Sequence, residues 1–128
     1  MTGAPTAQDL FAGIPVADFD HSLAWYRQFF GVEPSFYPND IEAVWAVGEH
    51  SYVYIELLPD RAGRSMLMIM AADLDTTVAA LTQRGLEPHR IENYEQGMRK
   101  LVYADPDGNE ISYGGMSTPT IGPASTNN

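Results

Sequence analysis

The chain has 128 residues, 45% of them apolar, which predicts one globular domain with its own core. Its 17 Asp and Glu against 7 Lys and Arg give a formal charge of −10. This balance argues against nucleic acid and anionic membranes as partners and suits a cationic ligand. Without cysteine, disulfide and thiol chemistry are excluded. No apolar stretch is long enough to span a bilayer and residues 1–8 do not look like a signal peptide, so we expect a cytoplasmic protein.

A first module is predicted at residues 10–59, after a leader at residues 1–9. It begins with a short apolar strand at residues 10–16. Asp18 or Asp20 can then cap a helix, because a carboxylate accepts hydrogen bonds from the free N–H groups of a first turn. After that helix the apolar pattern changes to period two, which predicts strands, the last of them at residues 52–58.

A second module is predicted at residues 65–115, after a linker at residues 59–63. It repeats the same order, with a strand at residues 66–72 and a helix capped by Asp73 or Asp75. Three further strands are predicted at residues 87–94, 98–104 and 110–114. Residues 116–128, rich in Ser, Thr, Pro, Gly and Asn, predict a flexible tail.

The repeat is visible in the letters themselves. Residues 18–20 and 73–75 both read Asp-apolar-Asp, and residues 31–34 and 85–88 both read Gly-apolar-Glu-Pro. A period of this size is typical of duplicated supersecondary units. The sequence therefore predicts an α+β fold of two tandem βαβββ modules.

A tight turn is predicted near the end of the second module. Pro106 suits the second place of a turn, and Asp105 and Asp107 can bond back to nearby backbone N–H groups. Gly108 permits positive φ. Strands lead in and out of this turn, so the segment reads as a hairpin.

This Asp-Pro-Asp-Gly-Asn hairpin resembles the closing hairpin of the vicinal oxygen chelate superfamily, which includes glyoxalase I, bleomycin-resistance proteins and extradiol dioxygenases. The resemblance spans about residues 10–115. It implies eight strands in a cup-shaped mixed sheet with the helices outside. It also implies a homodimer, without deciding whether modules pair within one chain or between two.

Enzymes of this superfamily usually hold a divalent metal through His, Glu or Gln on the first and last strands of each module. The resemblance places Phe11, Glu56, Met66 and Ser112 at these points. Only Glu56 is a good ligand, so we expect neither a bound metal nor another cofactor. Glu110, on the same strand face as Ser112, leaves metal-dependent catalysis open, although an exposed hairpin residue is the favoured interpretation.

The inside of the cup is predicted to hold a ligand. Period two adds tyrosines beside Glu56 and a methionine beside Met66, and the resemblance adds two inward residues of the next-to-last strand. The predicted ligand-binding residues are Phe11, Trp45, Tyr52, Tyr54, Glu56, Met66, Met68, Lys100, Val102 and Ser112. Met70 is expected to fill the core, and Lys100 and Glu56 can pair across the cup.

Two functions remain open. The first is a metal-free binding or sequestration protein of the bleomycin-resistance type, with a cationic or planar small molecule as its partner. The second is an isomerase, lyase or hydrolase with Glu56 as acid or base and Lys100 as an anion clamp. The resemblance favours the first, and no nucleic acid or membrane partner is expected.

Overall fold

The computed structural model describes residues 6–117, which form eight strands and two α-helices in two βαβββ modules. The strands are β1 (Leu10–Val16), β2 (Phe36–Asn39), β3 (Glu42–Gly48), β4 (Ser51–Leu57), β5 (Met66–Met70), β6 (Arg90–Asn93), β7 (Met98–Ala104) and β8 (Glu110–Met116). The helices are α1 (Phe19–Phe30) and α2 (Leu74–Gln83), and a short 3-10 turn, Pro59–Arg61, occupies the predicted linker. The predicted α+β class and tandem modules are confirmed.

Each module forms its own four-stranded mixed sheet. The strand orders are β1-β4-β3-β2 and β5-β8-β7-β6, so the second sheet repeats the first. In each sheet the first and last strands of the module pair in parallel, and the remaining neighbours are antiparallel. The eight strands therefore form two separate sheets, where the sequence predicted one cup-shaped sheet.

Both helices begin at a capping aspartate. The side chain of Asp18 accepts from the backbone N–H of His21 at 3.1 Å, and Asp73 accepts from that of Thr76 at 3.1 Å. These bonds satisfy donors that a first turn leaves free. Gly31 ends α1 with a φ of 77°, a left-handed conformation that glycine adopts without steric cost.

The helix-side faces of the two sheets share one hydrophobic core. Phe29 of α1 is fully buried and stacks on Tyr113 of β8, with ring centroids 5.3 Å apart. The ring of Tyr103 on β7 meets it edge-on at 5.5 Å. Ile14 and Ile55 of the first sheet belong to the same cluster. A helix of module one thus packs on the sheet of module two, and the other face of each sheet lies away from this core.

Trp45 belongs to this core, and its predicted place in the cup is wrong. It is 1% exposed, its ring lies 5.2 Å from that of Phe30, and its indole N–H donates to the carbonyl of Val32 at 3.0 Å. The cause is the register of β3, which pairs Trp45 with buried Val53. Successive strand residues alternate faces, so the even-numbered residues of β3 face the other way.

The predicted turn closes as expected. The backbone N–H of Gly108 donates to the carbonyl of Asp105 at 2.9 Å, which places Pro106 second in the turn, and Gly108 has a φ of 94°. One carboxylate oxygen of Asp105 accepts from the backbone N–H groups of Asp107 and Asn109, both at 2.9 Å. The predicted positive φ at Gly108 is confirmed.

Several element boundaries differ from the prediction. Strand β6 is shorter than the predicted 87–94, and β8 continues to Met116, where the tail was expected to begin. The rest of that tail, from residue 118, and residues 1–5 of the predicted leader lie outside the described residues. Within residues 6–117, neither helix is long and apolar enough to cross a membrane.

The turn makes a stability prediction. Replacing Gly108 by Ala should lower the free energy of unfolding by about 1 kcal/mol or more, because a Cβ is strained at positive φ. Urea unfolding of the two proteins measures this difference. Gly48→Ala is the matched control, since Gly48 lies outside the left-handed region and a Cβ there would lie 3.7 Å from Ser51. An equal or smaller loss at Gly108 than at Gly48 would contradict the prediction.

Candidate functional site

An aromatic face covers the sheet of module one on the side away from the core. It is formed by Phe11 of β1 with Tyr52, Tyr54 and Glu56 of β4. These residues alternate with the core residues Val53 and Ile55 along the same strand. The sequence prediction that these four side chains share one face is therefore correct.

The rings of this aromatic face pack against each other and against the sheet backbone. Phe11 and Tyr52 are register partners on the parallel pair β1 and β4, and their rings stack with centroids 4.4 Å apart and planes 10° apart. Phe11 is 48% exposed. The Tyr54 ring covers Gly13, where a Cβ would lie 2.5 Å from its Cζ atom. Stacked, open rings of this kind suit a planar ligand.

Two carboxylates face each other at one end of the aromatic face. Glu56 of β4 and Glu42 of β3 are direct cross-strand partners. Burial raises the pKa of Glu56, and the charge of Glu42 and a hydrogen bond with it raise the pKa further, against the opposing charge of Arg61. Like charges at such a position disfavour full ionisation of both groups. The pair can hold a proton or accept a cationic group.

A methionine face covers the corresponding side of the second sheet. It is formed by five methionines, which lie on β5, β7 and β8: Met66, Met68, Met70, Met98 and Met116. Met66 is 70%, Met68 43% and Met70 58% exposed, whereas Leu67 and Ile69 between them pack on the core. The expectation that Met70 fills the core is wrong, because period two places it on the face of Met66 and Met68.

A bridge of charged side chains crosses β7 on the side of the methionine face. Arg90 of β6 donates to both carboxylate oxygens of Glu110 on β8, at 3.1 and 3.3 Å, and to Glu92 at 2.8 Å. These bonds hold the pKa of Glu110 below its usual value, and a bond from Tyr94 together with that from Arg90 does the same for Glu92. The sequence favoured an exposed hairpin residue at Glu110, whereas in the structure its carboxylate is ion-paired with Arg90.

Two predicted ligand-binding residues beside the bridge are buried. Val102 of β7 pairs with Arg90 on one side and with Ser112 on the other. Val102 is fully buried and Ser112 is 2% exposed, although both are on the face away from the core. A ligand would touch either one only if neighbouring side chains moved.

Lys100 lies on the methionine face but not beside Glu56. Its ammonium is 3.9 Å from Glu92, at the long end of the ion-pair range. Among the described residues it forms no ion pair with Glu56, which lies on the other sheet. The predicted pairing across a cup is therefore wrong within one chain, because the two faces lie on opposite sides of the shared core.

The superfamily's metal points do not fit a divalent ion here. Phe11 and Glu56 are on the aromatic face, whereas Met66 and Ser112 are on the other sheet, so the four do not converge in one chain. Only one of the four carries a ligand suited to a catalytic divalent ion. Within residues 6–117, no group of three or more His, Cys, Asp or Glu side chains could hold a metal.

A cleft of about 400 Å³ lies at the boundary of the modules and reaches Met70 at the edge of the methionine face. Its aromatic lining includes Trp45 and Tyr113, and its polar side includes Asp73 and Thr76. The carboxylate of Asp73 already accepts from the backbone N–H and the hydroxyl of Thr76, and the Trp45 N–H is also bonded. These polar groups are thus already engaged in capping and packing.

Three features of the faces were missed from the sequence. Glu42 follows from period two once Trp45 is placed in the core, so a correct register would have found it. Gly13 had no signal, because nothing local shows that the Tyr54 ring lies over it. The Arg90–Glu110 bridge joins strands twenty residues apart in the chain and depends on β7 lying between them.

The two modules, the repeated sheet order and the closing hairpin together define a vicinal oxygen chelate protein. The family model of the Glyoxalase-like domain matches residues 11–113, and the chain belongs to this family. A comparison with the curated proteins finds no match.

Solved structures agree with this placement. A glyoxalase/bleomycin resistance protein from Catenulispora acidiphila DSM 44928 is 44% identical, with a TM-score of 0.82 over 86% of this chain and 99% of that one. A lactoylglutathione lyase from Agrobacterium tumefaciens is 17% identical, with a TM-score of 0.68 over 87% of this chain and 95% of that one. At 17% identity, the likeness to the lyase shows the fold alone.

The raised pKa of Glu56 makes a prediction about pH. A carboxyl whose pKa is raised on folding contributes stability below its unfolded pKa, and this contribution is lost as pH rises through the folded pKa. The Glu56→Gln variant lacks this titrating carboxyl, so it does not lose this stability as pH rises. Its free energy of unfolding, relative to the unmodified protein, should therefore increase from about pH 4 to pH 7.

Urea titrations across this range measure the difference. Glu49→Gln, whose side chain is 90% exposed, controls for the loss of a carboxylate elsewhere. A relative stability of Glu56→Gln that falls as pH rises would show that the environment of Glu56 is misread.

Proposed function

We propose that the protein binds or sequesters a small molecule, as a metal-independent member of the glyoxalase/bleomycin-resistance type. The ligand lies against the aromatic face and is planar, with a cationic group directed to Glu56. The observation that carries this proposal is the stacked pair Phe11–Tyr52 on a face whose other end holds two adjacent carboxylates. A cytoplasmic location, expected from the sequence, is part of the same proposal.

The charge of the site supports a cationic group. Glu56 and Glu42 are direct neighbours, and Arg61 is the opposing charge that acts on Glu56. A ligand cation would relieve their repulsion and favour the ionised form of both. Aromatic rings beside the carboxylates add attraction, since cations also bind ring faces.

A homodimer would complete the site. The aromatic face and the methionine face lie on opposite sides of the shared core, so in one chain each is open to solvent. In the proposed dimer, the methionine face of a second copy covers the aromatic face of the first. Lys100 of the second copy then lies near the Glu42–Glu56 pair, and the exposed methionines leave water.

The enzyme alternative uses the same residues. A carboxyl with a raised pKa is a suitable general acid or base near neutral pH, and burial is the first cause of the shift at Glu56. In this alternative the protein is an isomerase, lyase or hydrolase, and Lys100 of the second copy clamps an anion. The raised pKa of Glu56 is the observation that supports this alternative.

One substitution separates the two functions. Native mass spectrometry of protein purified from its own host would first identify a retained ligand. On the binding proposal, Glu56→Gln should then weaken a cationic ligand about ten- to a hundredfold, because a charge-assisted hydrogen bond contributes roughly 1.5–3 kcal/mol. Tyr54→Ala should weaken it comparably. Calorimetric titration measures both, with Glu49→Gln as the charge-matched control.

On the enzyme alternative, the same variant behaves differently. Turnover should fall by roughly 10²–10⁴, while affinity stays near that of the unmodified protein. If neither affinity nor turnover responds to Glu56→Gln, the aromatic face is not the functional centre and the proposal is wrong.

The dimer has its own test. Sedimentation velocity should show a dimer, and Met66→Glu should shift it toward monomer, because the new carboxylate would be buried near the Glu42–Glu56 pair of the second copy. Val32→Glu, at a 61% exposed apolar residue outside both faces, should leave the dimer intact. A monomer in the unmodified protein would contradict the shared site without touching the binding proposal.

A further inference from the structure

The methionine face concentrates thioether sulfur, and the proposed dimer uses only the apolar area of these side chains and not their sulfur as a ligand. All five methionines of residues 6–117 lie on it, and the chain has no cysteine. Core packing does not explain the exposed ones, since Met66, Met68 and Met70 are each more than two-fifths exposed. Methionine is also a weak choice for a purely structural surface, because its flexible side chain specifies packing poorly.

Three of these side chains converge on one point above Gly114 of β8. A Cβ at Gly114 would lie 2.8 Å from the Met68 sulfur, 3.3 Å from the Met70 sulfur and 3.3 Å from the Met98 methyl carbon next to its sulfur. The two sulfurs are therefore no farther apart than the sum of the first two distances. Met68 and Met70 approach from β5 and Met98 from β7, on either side of β8. The missing side chain of Gly114 leaves the space that they share.

The donor set points to one class of ion. Thioether sulfur is soft and neutral, so it favours monovalent copper over Zn²⁺, Mn²⁺ or Mg²⁺, which prefer harder or charged ligands. The carboxylates of this sheet, Glu92 and Glu110, are ion-paired with Arg90. Lys100 is paired with Gly114 in register, but its ammonium is directed to Glu92 on β6. Neutral ligands and a single positive charge also limit the cost of desolvation.

We propose that Met68, Met70 and Met98 form a site for a soft monovalent metal ion, Cu⁺, with three thioether ligands above Gly114. The site needs only one chain and an inorganic ion, so it does not depend on the proposed small-molecule function. A small change of side-chain rotamer brings the sulfurs round one centre, since exposed methionines are free to turn. In the proposed dimer the metal site faces the space between the two copies, and not the hydrophobic core within each chain.

The experiment uses Ag⁺ as a redox-inert probe and Cu⁺ kept reduced with ascorbate under anaerobic conditions. Titration into the intact protein, labelled with ¹³C at the methionine methyls, should saturate at one equivalent. The methyl signals of Met68, Met70 and Met98 should shift together, and that of Met66 should not. Dialysis against Zn²⁺ or Mn²⁺ should leave well under one equivalent bound.

Variants identify the ligands. Met68→Leu and Met70→Leu keep volume and apolar character, so the fold should hold. Loss of a partner that only supports a metal ligand costs about 10–100-fold in affinity, so loss of a ligand should cost at least about tenfold. Met66→Leu, at the other end of β5, is the matched control and should change affinity less than about twofold.

Several outcomes would overturn the site. Absence of Ag⁺ and Cu⁺ binding would do so directly. Binding that survives the Met68→Leu/Met70→Leu double variant would place the ion elsewhere, and binding lost equally in Met66→Leu would show diffuse association with surface sulfur. If either leucine variant unfolds, the methyl shifts of the unmodified protein still decide which methionines contact the ion.

Discussion

The architecture depends on one buried carboxylate, that of Asp105, which is 5% exposed. One of its oxygens accepts from two backbone N–H groups of its own turn. The other accepts from the amide of Asn109 at 2.9 Å and from the hydroxyl of Tyr26 at 2.8 Å. A buried charge persists only when its acceptor positions are filled, so turn and helix specify each other. Because Tyr26 belongs to α1 and Asp105 to the last hairpin, these bonds join the two modules.

Asn109 extends the same constraint to the first strand and the linker. Its side-chain amide also donates to the carbonyl of Pro15, and its side-chain oxygen accepts from the backbone of Gly63 and Ser65. The modules are thus joined through the helix-side faces of their sheets, and these faces also bury the aromatic side chains of α1. The same joint turns the aromatic face and the methionine face outward. The choice of the faces that pack together therefore determines which sheet faces remain exposed for binding.

Local patterns in the sequence predicted more of this fold than of its site. The repeated Asp-apolar-Asp and Gly-apolar-Glu-Pro segments predicted two modules, because capping and helix termination are local. Period two correctly grouped Tyr52, Tyr54 and Glu56, since alternation within a strand is also local. Periodicity shows which residues share a face but not which face the fold buries. The predicted position of Trp45 was wrong for this reason.

The remaining errors came from contacts between distant strands. Lys100 was paired with Glu56 because the sequence does not show how the two sheets face each other. Met70 is the exception, since period two already placed it on the face of Met66 and Met68. Gly13 beneath Tyr54, and Glu42 opposite Glu56, depend on strand pairing and register, and β3 also carries an irregularity between Ala46 and Gly48. Register is set by long-range pairing and bulges that local propensity does not encode.

The two outward faces have complementary deficits, and this has a thermodynamic consequence. The aromatic face has two adjacent carboxylates, and burial together with their repulsion raises the pKa of Glu56. The methionine face has an ammonium at the limit of ion pairing and exposed apolar area. A ligand cation and a second copy of the chain would relieve the same repulsion. If both act at the aromatic face, linkage requires each to change the affinity of the other by the same factor. In the proposed dimer, a ligand that fills the gap between the copies would strengthen their association, whereas one that replaces Lys100 would weaken it. The sign of that coupling therefore reports whether the carboxylates face the ligand or the partner.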